Sequence, residues 1–228
     1  MKRPDSYHHL DLRKRLMEVA LEELAEQGPR RFSLRSVAQR AGVSHAAPYR
    51  HFESKDGLLA AVFLEGMRGL TEALRSASNR SGPSARARLA AQGRAYIKFA
   101  REQPGHIALM FSETGFAAMH KAVAADPGMD PEEFNAFGEL ERAVIACQRE
   151  GSLDPDVESG TLAMLVWSTV HGLALLLGEG VIGDMASDRG ISPGLVEPAL
   201  LEGMESLFFR GSPRSDVSGA GARAPLAK

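Results

Sequence analysis

The chain has 228 residues, 44% hydrophobic and 25% charged, with a formal net charge of −2. That balance excludes a fibrous or intrinsically disordered protein and fits one or two globular domains that bury roughly 70–75% of the unfolded surface. One cysteine, Cys147, excludes an internal disulfide framework and points to a reducing cytoplasm, and the opening MKRPDSYHHLDLRKR lacks the apolar run of a secretory signal.

Charge is unevenly spread. Residues 1–55 carry 11 Lys/Arg against 7 Asp/Glu, while the remainder carries 16 against 22, so a head of +4 precedes a body of −6. A basic head on an acidic body suits a duplex-binding unit attached to a separate regulatory one, although four charges over such a length also arise by chance.

Residues 1–9 read as a mobile arm. A helix follows from about His9 to Gln27, with Leu12, Leu16, Ala20 and Leu24 on one stripe and Gly28-Pro29 as its stop. Next, Leu34, Val37, Ala38 and Ala41 fall at i, i+3, i+4 and i+7, with Ser33 placed to cap the first turn and Gly42 to end the helix in a left-handed conformation. Ser44 restarts the chain as a second cap, and a brief helix of about two turns is expected to reach Phe52. Pro48 makes its first turn tight or partly 3₁₀. Two short helices joined by a glycine-containing turn make a helix-turn-helix.

If Phe52 and the ring of Tyr49 pack inward, Ser44, His45, Ala46, Arg50 and His51 face outward with the Tyr49 hydroxyl. Such a face offers small residues for close approach and donors for phosphates and base edges. Tyr49, His51 and Lys55 are assigned to phosphates, and Arg35, His45, Ala46 and Arg50 to bases. Ser33, Ser36, Ser44 and Ala47 complete the expected DNA-facing set. A merely structural helical corner is the bland alternative.

Ser54 caps a further helix through Leu58, Leu59, Val62, Phe63, Leu70 and Leu74 to about Ser76, with Asp56 near its positive end. Ser76–Ser84 reads as a boundary loop. Beyond it every periodic segment is helical: 84–103, pieces within 104–125, Pro131 to about Arg149 after a loop at Asp126–Pro131, 156–178 after a turn at Gly151–Pro155, and Pro193 to about Arg210. Segment 156–178 is the most apolar, but its apolar core is short for a membrane span, and a helix apolar all round needs cover on more than one side. Together with the last helix it forms a plausible self-complementary two-fold interface. Residues 211–228, rich in Gly, Ser, Ala and Pro, read as disordered.

The segment Ser33-Leu34-Arg35, Val37-Ala38, Ala41-Gly42-Val43-Ser44 and Tyr49-Arg50-His51-Phe52, with Lys55 and Leu58-Leu59 behind, resembles the DNA-binding domain of the tetracycline-repressor (TetR/AcrR) family of bacterial transcriptional regulators. The likeness spans roughly residues 10–65. Farther on, Trp167 with His171-Gly172 resembles the Trp…His-Gly type of TetR C-terminal domain. The resemblance implies an all-α cytoplasmic homodimer. It would have a helix-turn-helix head (10–55), a connecting helix (56–76) and a helical effector-binding and dimerisation body (84–210) paired through its last two long helices. It also implies a near-palindromic double-stranded operator and release by a small molecule.

Tyr96, Phe99, Met110, Phe111, Phe134, Phe137, Met164, Trp167 and His171 are the bulky residues expected around an apolar or amphipathic effector, and each of them also reads as ordinary core. Cys147 reads as a small core residue or as a redox trigger. No cofactor motif is present. The seven histidines show no zinc-ligand spacing, and no nucleophile elbow, phosphate loop or dinucleotide fingerprint occurs, so an enzyme is disfavoured. An architectural DNA-binding protein without an effector would keep the head and lack the pocket.

Overall fold

The computed structural model describes residues 5–126 and 128–209; the opening of the expected arm and the expected disordered tail lie outside them. The described residues form ten α-helices and two 3₁₀ segments, with no strand among them, so the chain is all-α. In order these are α1 (Asp5–Gln27), α2 (Leu34–Arg40), a 3₁₀ turn (Pro48–Arg50), α3 (Lys55–Arg80), α4 (Ala85–Glu102), α5 (Pro104–Met110), α6 (Glu113–Ala125), a 3₁₀ turn (Pro131–Phe134), α7 (Ala136–Arg149), α8 (Ser159–Gly178), α9 (Val181–Ser187) and α10 (Pro193–Phe208).

Leu16, Val19, Ala20 and Leu24 of α1 meet Phe32, Val37, Phe52, Leu58 and Leu59, all buried, so the stripe read from the sequence forms the core of the head. The α3 helix leaves that core and runs on between α4, α6 and α7, burying Val62, Phe63, Leu70 and Leu74. On the far side of α4 and α7 lies α8. The short α5 wedges between α1 and α3. It comes so close that a side chain at Gly105 would place its first carbon 2.3 Å from the Leu21 carbonyl oxygen.

Several boundaries differ from expectation. Residues 5–9 are helical rather than an arm, because α1 begins at Asp5. The α3 helix continues to Arg80, past the expected end near Ser76. There the Ser81 hydroxyl donates to the Ala77 and Ser78 carbonyls and finishes the last turn, which shortens the loop to a few residues. Pro131 opens only a 3₁₀ turn. Asn135, whose Oδ1 accepts the Gly138 N–H at 2.8 Å, is the cap that starts α7. The α9 helix is too short to show a period, and α10 ends at Phe208.

With its 20 residues, α8 is long and apolar enough to cross a membrane by length and composition, longer than the apolar core suggested. Nor is it covered all round. Leu162, Ala163, Val166, Val170 and Ala174 are buried against the neighbouring helices, while Met164, Leu165, Leu175 and Leu176 lie open on the opposite side.

His106 of α5 is 5% exposed; its Nδ1 lies 3.3 Å from Gln103 Oε1, and its Nε2 has no partner among the described residues. Burial pulls its pKa down to about 4. The unfolded chain therefore binds one more proton than the folded chain between about pH 6.5 and 4, and stability must fall as pH falls through that window. Replacing His106 with Gln is expected to remove this component, on the order of 3 kcal/mol between neutral pH and pH 4. Urea denaturation of both proteins across that pH range measures it.

Candidate nucleic-acid interface and apolar cavity

The helix-turn-helix segment is held by local devices. Ser33 is extended, and its Oγ accepts the Ser36 N–H at 3.1 Å, as an N-cap should. Its own N–H is taken up by Oε1 of Glu23 at 3.3 Å. Glu23 is 1% exposed, and its second oxygen, without a partner among the described residues, remains beside the amino end of α2. At the other end Gly42 has φ +71°, with Val43 N–H on the Ala38 carbonyl and Gly42 N–H on that of Gln39. This is the left-handed stop that only glycine takes without strain.

Past Ser44 the two-turn helix expected to reach Phe52 is absent. Ala47, Arg50 and His51 donate their N–H groups to the carbonyls three residues back, at 2.9, 3.1 and 3.0 Å, and only Pro48–Arg50 is a regular 3₁₀ turn. Pro48 supplies no N–H and takes an inward position itself, buried next to Phe52. Tyr49 is consequently pushed out and 59% exposed; its ring does not pack inward. Arg35, Ser44, His45, Ala46 and Arg50 are exposed as well, while Ser33, Ser36, Ala47, His51 and Lys55 are half-buried. Lys55 stands in the first turn of α3, where Ser54 Oγ accepts the Gly57 N–H, and its ammonium lies 5.7 Å from the Phe32 ring centre. Arg40 is withdrawn from this face by a two-pronged bond to Glu26, 2.7 Å on each arm.

The body holds a cavity of about 350 Å³ lined by residues of α3, α4, α5, α6, α7, α8 and α10 and of the segments between them. Of the residues expected there, Tyr96, Met110, Phe111, Phe134, Phe137 and Trp167 line it, and Phe99, Met164 and His171 do not. Phe99 packs over Gly69 and beside the His106 ring. Met164 is on the outer side of α8, 53% exposed. His171 stands behind the wall and braces it. Its Nδ1 lies 2.6 Å from the Tyr96 hydroxyl, and its ring packs 4.6 Å from Phe111 and 5.6 Å from Trp167, centre to centre. Burial lowers the His171 pKa, and its Nδ1 and the Tyr96 hydroxyl share one hydrogen bond whose direction is set by the ring tautomer. Burial likewise raises the Tyr96 phenol to about 12, partly offset by the Trp167 indole.

Phe63, Met67, Gln92, Phe116, Met119 and Met204 also line the cavity and are not among the residues expected there from the sequence. Gln92 carried a signal, since Leu89, Gln92 and Tyr96 fall at i, i+3 and i+7 on one helix face. Phe116, Val123 and Phe137 are 46%, 46% and 40% exposed and form an apolar rim. Beside them the Arg68 guanidinium lies 5.0 Å from the Phe134 ring centre and donates to Glu133, tying the second 3₁₀ turn to α3. Cys147 is fully buried, and burial pushes its thiol up to about 12, so it is packing rather than a reactive thiolate.

Two family models match. Residues 16–62 fit that of the bacterial regulatory proteins of the tetR family, and residues 89–192 fit a tetracyclin repressor-like C-terminal domain. Over 47 residues the chain is 40% identical to an HTH-type transcriptional repressor of Mycobacterium tuberculosis, which covers 21% of this chain and only 25% of that protein. A solved protein of unknown function from Rhodococcus sp. RHA1 superposes with a TM-score of 0.65 and 29% identity, over 90% of this chain and 100% of the other. A TetR family transcription regulator from Marinobacter aquaeolei VT8 shares the fold, with a TM-score of 0.60 and 19% identity over 89% of this chain and 98% of that one.

Glu23 is the interior prop of the interface. Glu23→Ala leaves the Ser33 amide without its acceptor, and a loss of about 1–3 kcal/mol is expected in urea denaturation. Glu26→Ala, which breaks the solvated pair with Arg40, should change stability far less.

Proposed function

We propose that this chain, which belongs to the tetR family of bacterial regulatory proteins, is a dimeric cytoplasmic repressor that binds a near-palindromic operator and leaves it when an apolar or amphipathic small molecule occupies the body. The observation that carries the reading is the exposed row Arg35, Ser44, His45, Ala46, Tyr49 and Arg50, set on a buried base of Val37, Pro48 and Phe52. Groups suited to phosphates and groups suited to base edges are thus exposed together within one short segment, which supports a groove-binding role. Among the proteins it resembles are a transcriptional repressor and a transcription regulator, which supports a regulatory rather than an enzymatic role.

Residues 10–55 act as the reading head and residues 84–210 as the sensing and pairing body, with α3 as their common beam. Dimerisation is supported by the open stripe of α8, with Leu165, Ser168, Leu175 and Leu176 on one side of the helix, and by Leu195, Leu200 and Leu207 of α10, 69%, 38% and 87% exposed. Apolar side chains this exposed on two helices, each packed against α9, suit a two-fold, self-complementary contact. Two heads so paired would read half-sites about 34–36 Å apart.

The route from ligand to head is short. Phe63 lines the cavity and lies two turns from Lys55 on the same helix, about 12 Å along its axis. Met110 lines it too, at the end of the α5 helix whose Gly105 abuts α1. Lys121 of α6 pairs with Asp56 beside the head. A ligand that fits better when these helices are shifted favours a head spacing that no longer matches the operator.

Selection of bound duplexes from a random pool, followed by a compound screen for release, tests the reading. One enriched palindrome and at least one releasing compound are expected; a pool without enrichment would refute it. With the operator in hand, Tyr49→Ala should weaken binding to all sequences alike, and His45→Ala should change base preference, both read by titration on matched and mismatched duplexes. Leu176→Glu should convert the dimer to a folded monomer in sedimentation, with a loss of operator affinity of at least about tenfold.

A further inference from the structure

We infer that the cavity selects uncharged apolar molecules carrying one hydroxyl or N–H group, and that Gln92 reads that group by accepting its proton in a hydrogen bond. The inference rests on the proposed role of the cavity as the effector site and specifies the chemistry of its ligand.

Gln92 is 2% exposed and lies on the cavity wall. Its amide nitrogen donates to Ser78 Oγ at 2.9 Å and to the backbone carbonyl of Glu139 at 3.3 Å. A carbonyl oxygen only accepts, so the NH₂ end must be the one turned toward Glu139, and the amide cannot be flipped without opposing two oxygens. The other end, Oε1, is buried without a hydrogen-bond partner among the described residues. An unsatisfied carbonyl on a residue that lines an apolar cavity costs free energy, and a ligand donor that reaches it as the wall adjusts recovers that cost.

The remaining polar groups narrow the class. The Tyr96 hydroxyl is engaged by His171. Glu205, the charged side chain on the lining, already pairs with Arg94 at 2.8 Å. Among the described residues no lysine, arginine or histidine lines the cavity, so a carboxylate or phosphate would lose its water without gaining a counter-charge and would face the Gln92 oxygen besides. The rest of the wall is aromatic, aliphatic or methionine, suited to a hydrocarbon body.

The test compares decanol, decyl methyl ether and decanoate on the full-length protein. Binding is read from the emission of Trp167, the single tryptophan, which lines the cavity. Decanol is expected to bind at least about tenfold more tightly than either analogue, and Gln92→Met to bring decanol down to the level of the ether. Equal binding of the three compounds, tightest binding of decanoate, or an unchanged preference in Gln92→Met overturns the inference while leaving an apolar effector site in place. Failure of all three to alter Trp167 emission or thermal stability counts against the effector site as well. Should Gln92→Met not fold by circular dichroism, the ranking on the wild-type protein decides alone.

Discussion

The structure depends on the continuity of one helix. Over 26 residues, α3 carries Lys55 in its first turn, buries Leu58 and Leu59 in the head, and presents Phe63, Met67 and Leu70 to the cavity. Within such a helix each carbonyl is bonded to the amide four residues on, so bending it means giving up bonds that nothing nearby replaces. A displacement at Phe63 therefore moves Lys55 with little loss. Ser54 at one end and Arg80 with Ser81 at the other keep both ends of the beam finished.

Around that beam the chain places its rigid and its yielding parts differently. The head is fixed by directional bonds, namely the Ser33 cap, the Glu23 carboxylate and the Gly42 stop. Each holds one conformation of a few residues, which suits a surface that must match a groove. The cavity is bounded instead by Met67, Met110, Met119 and Met204 and by several phenylalanines, contacts without direction that tolerate repacking. The polar groups of the wall are few: Gln92, Tyr96 with His171 behind it, and Glu205 paired with Arg94.

The head was legible because its signals are local. A serine before an apolar period and a glycine after it act within a few bonds, and both behave as their types dictate. Tyr49 was not legible: which of Pro48, Tyr49 and Phe52 turns inward depends on replacing a helical turn by a 3₁₀ one, and a rotation of one residue changes the answer. In the body, Trp167 and Tyr96 line the cavity, whereas Met164 lies on the outer side of α8. A helix as uniformly apolar as α8 has no polar face to fix its rotation, so its inner and outer sides look alike in sequence. Phe116 and Met119 were missed because the placement of α6 is set by contacts with α3, far away in the chain.

The rim formed by Phe116, Val123 and Phe137 is greasy and open to solvent, at the entrance of a chamber that is itself almost wholly hydrocarbon-lined. If the cavity is the proposed effector site, such an aperture would also admit other oily molecules. A signal would then have to displace whichever of them is bound, and the response would be set by the ratio of the two affinities rather than by the strength of either.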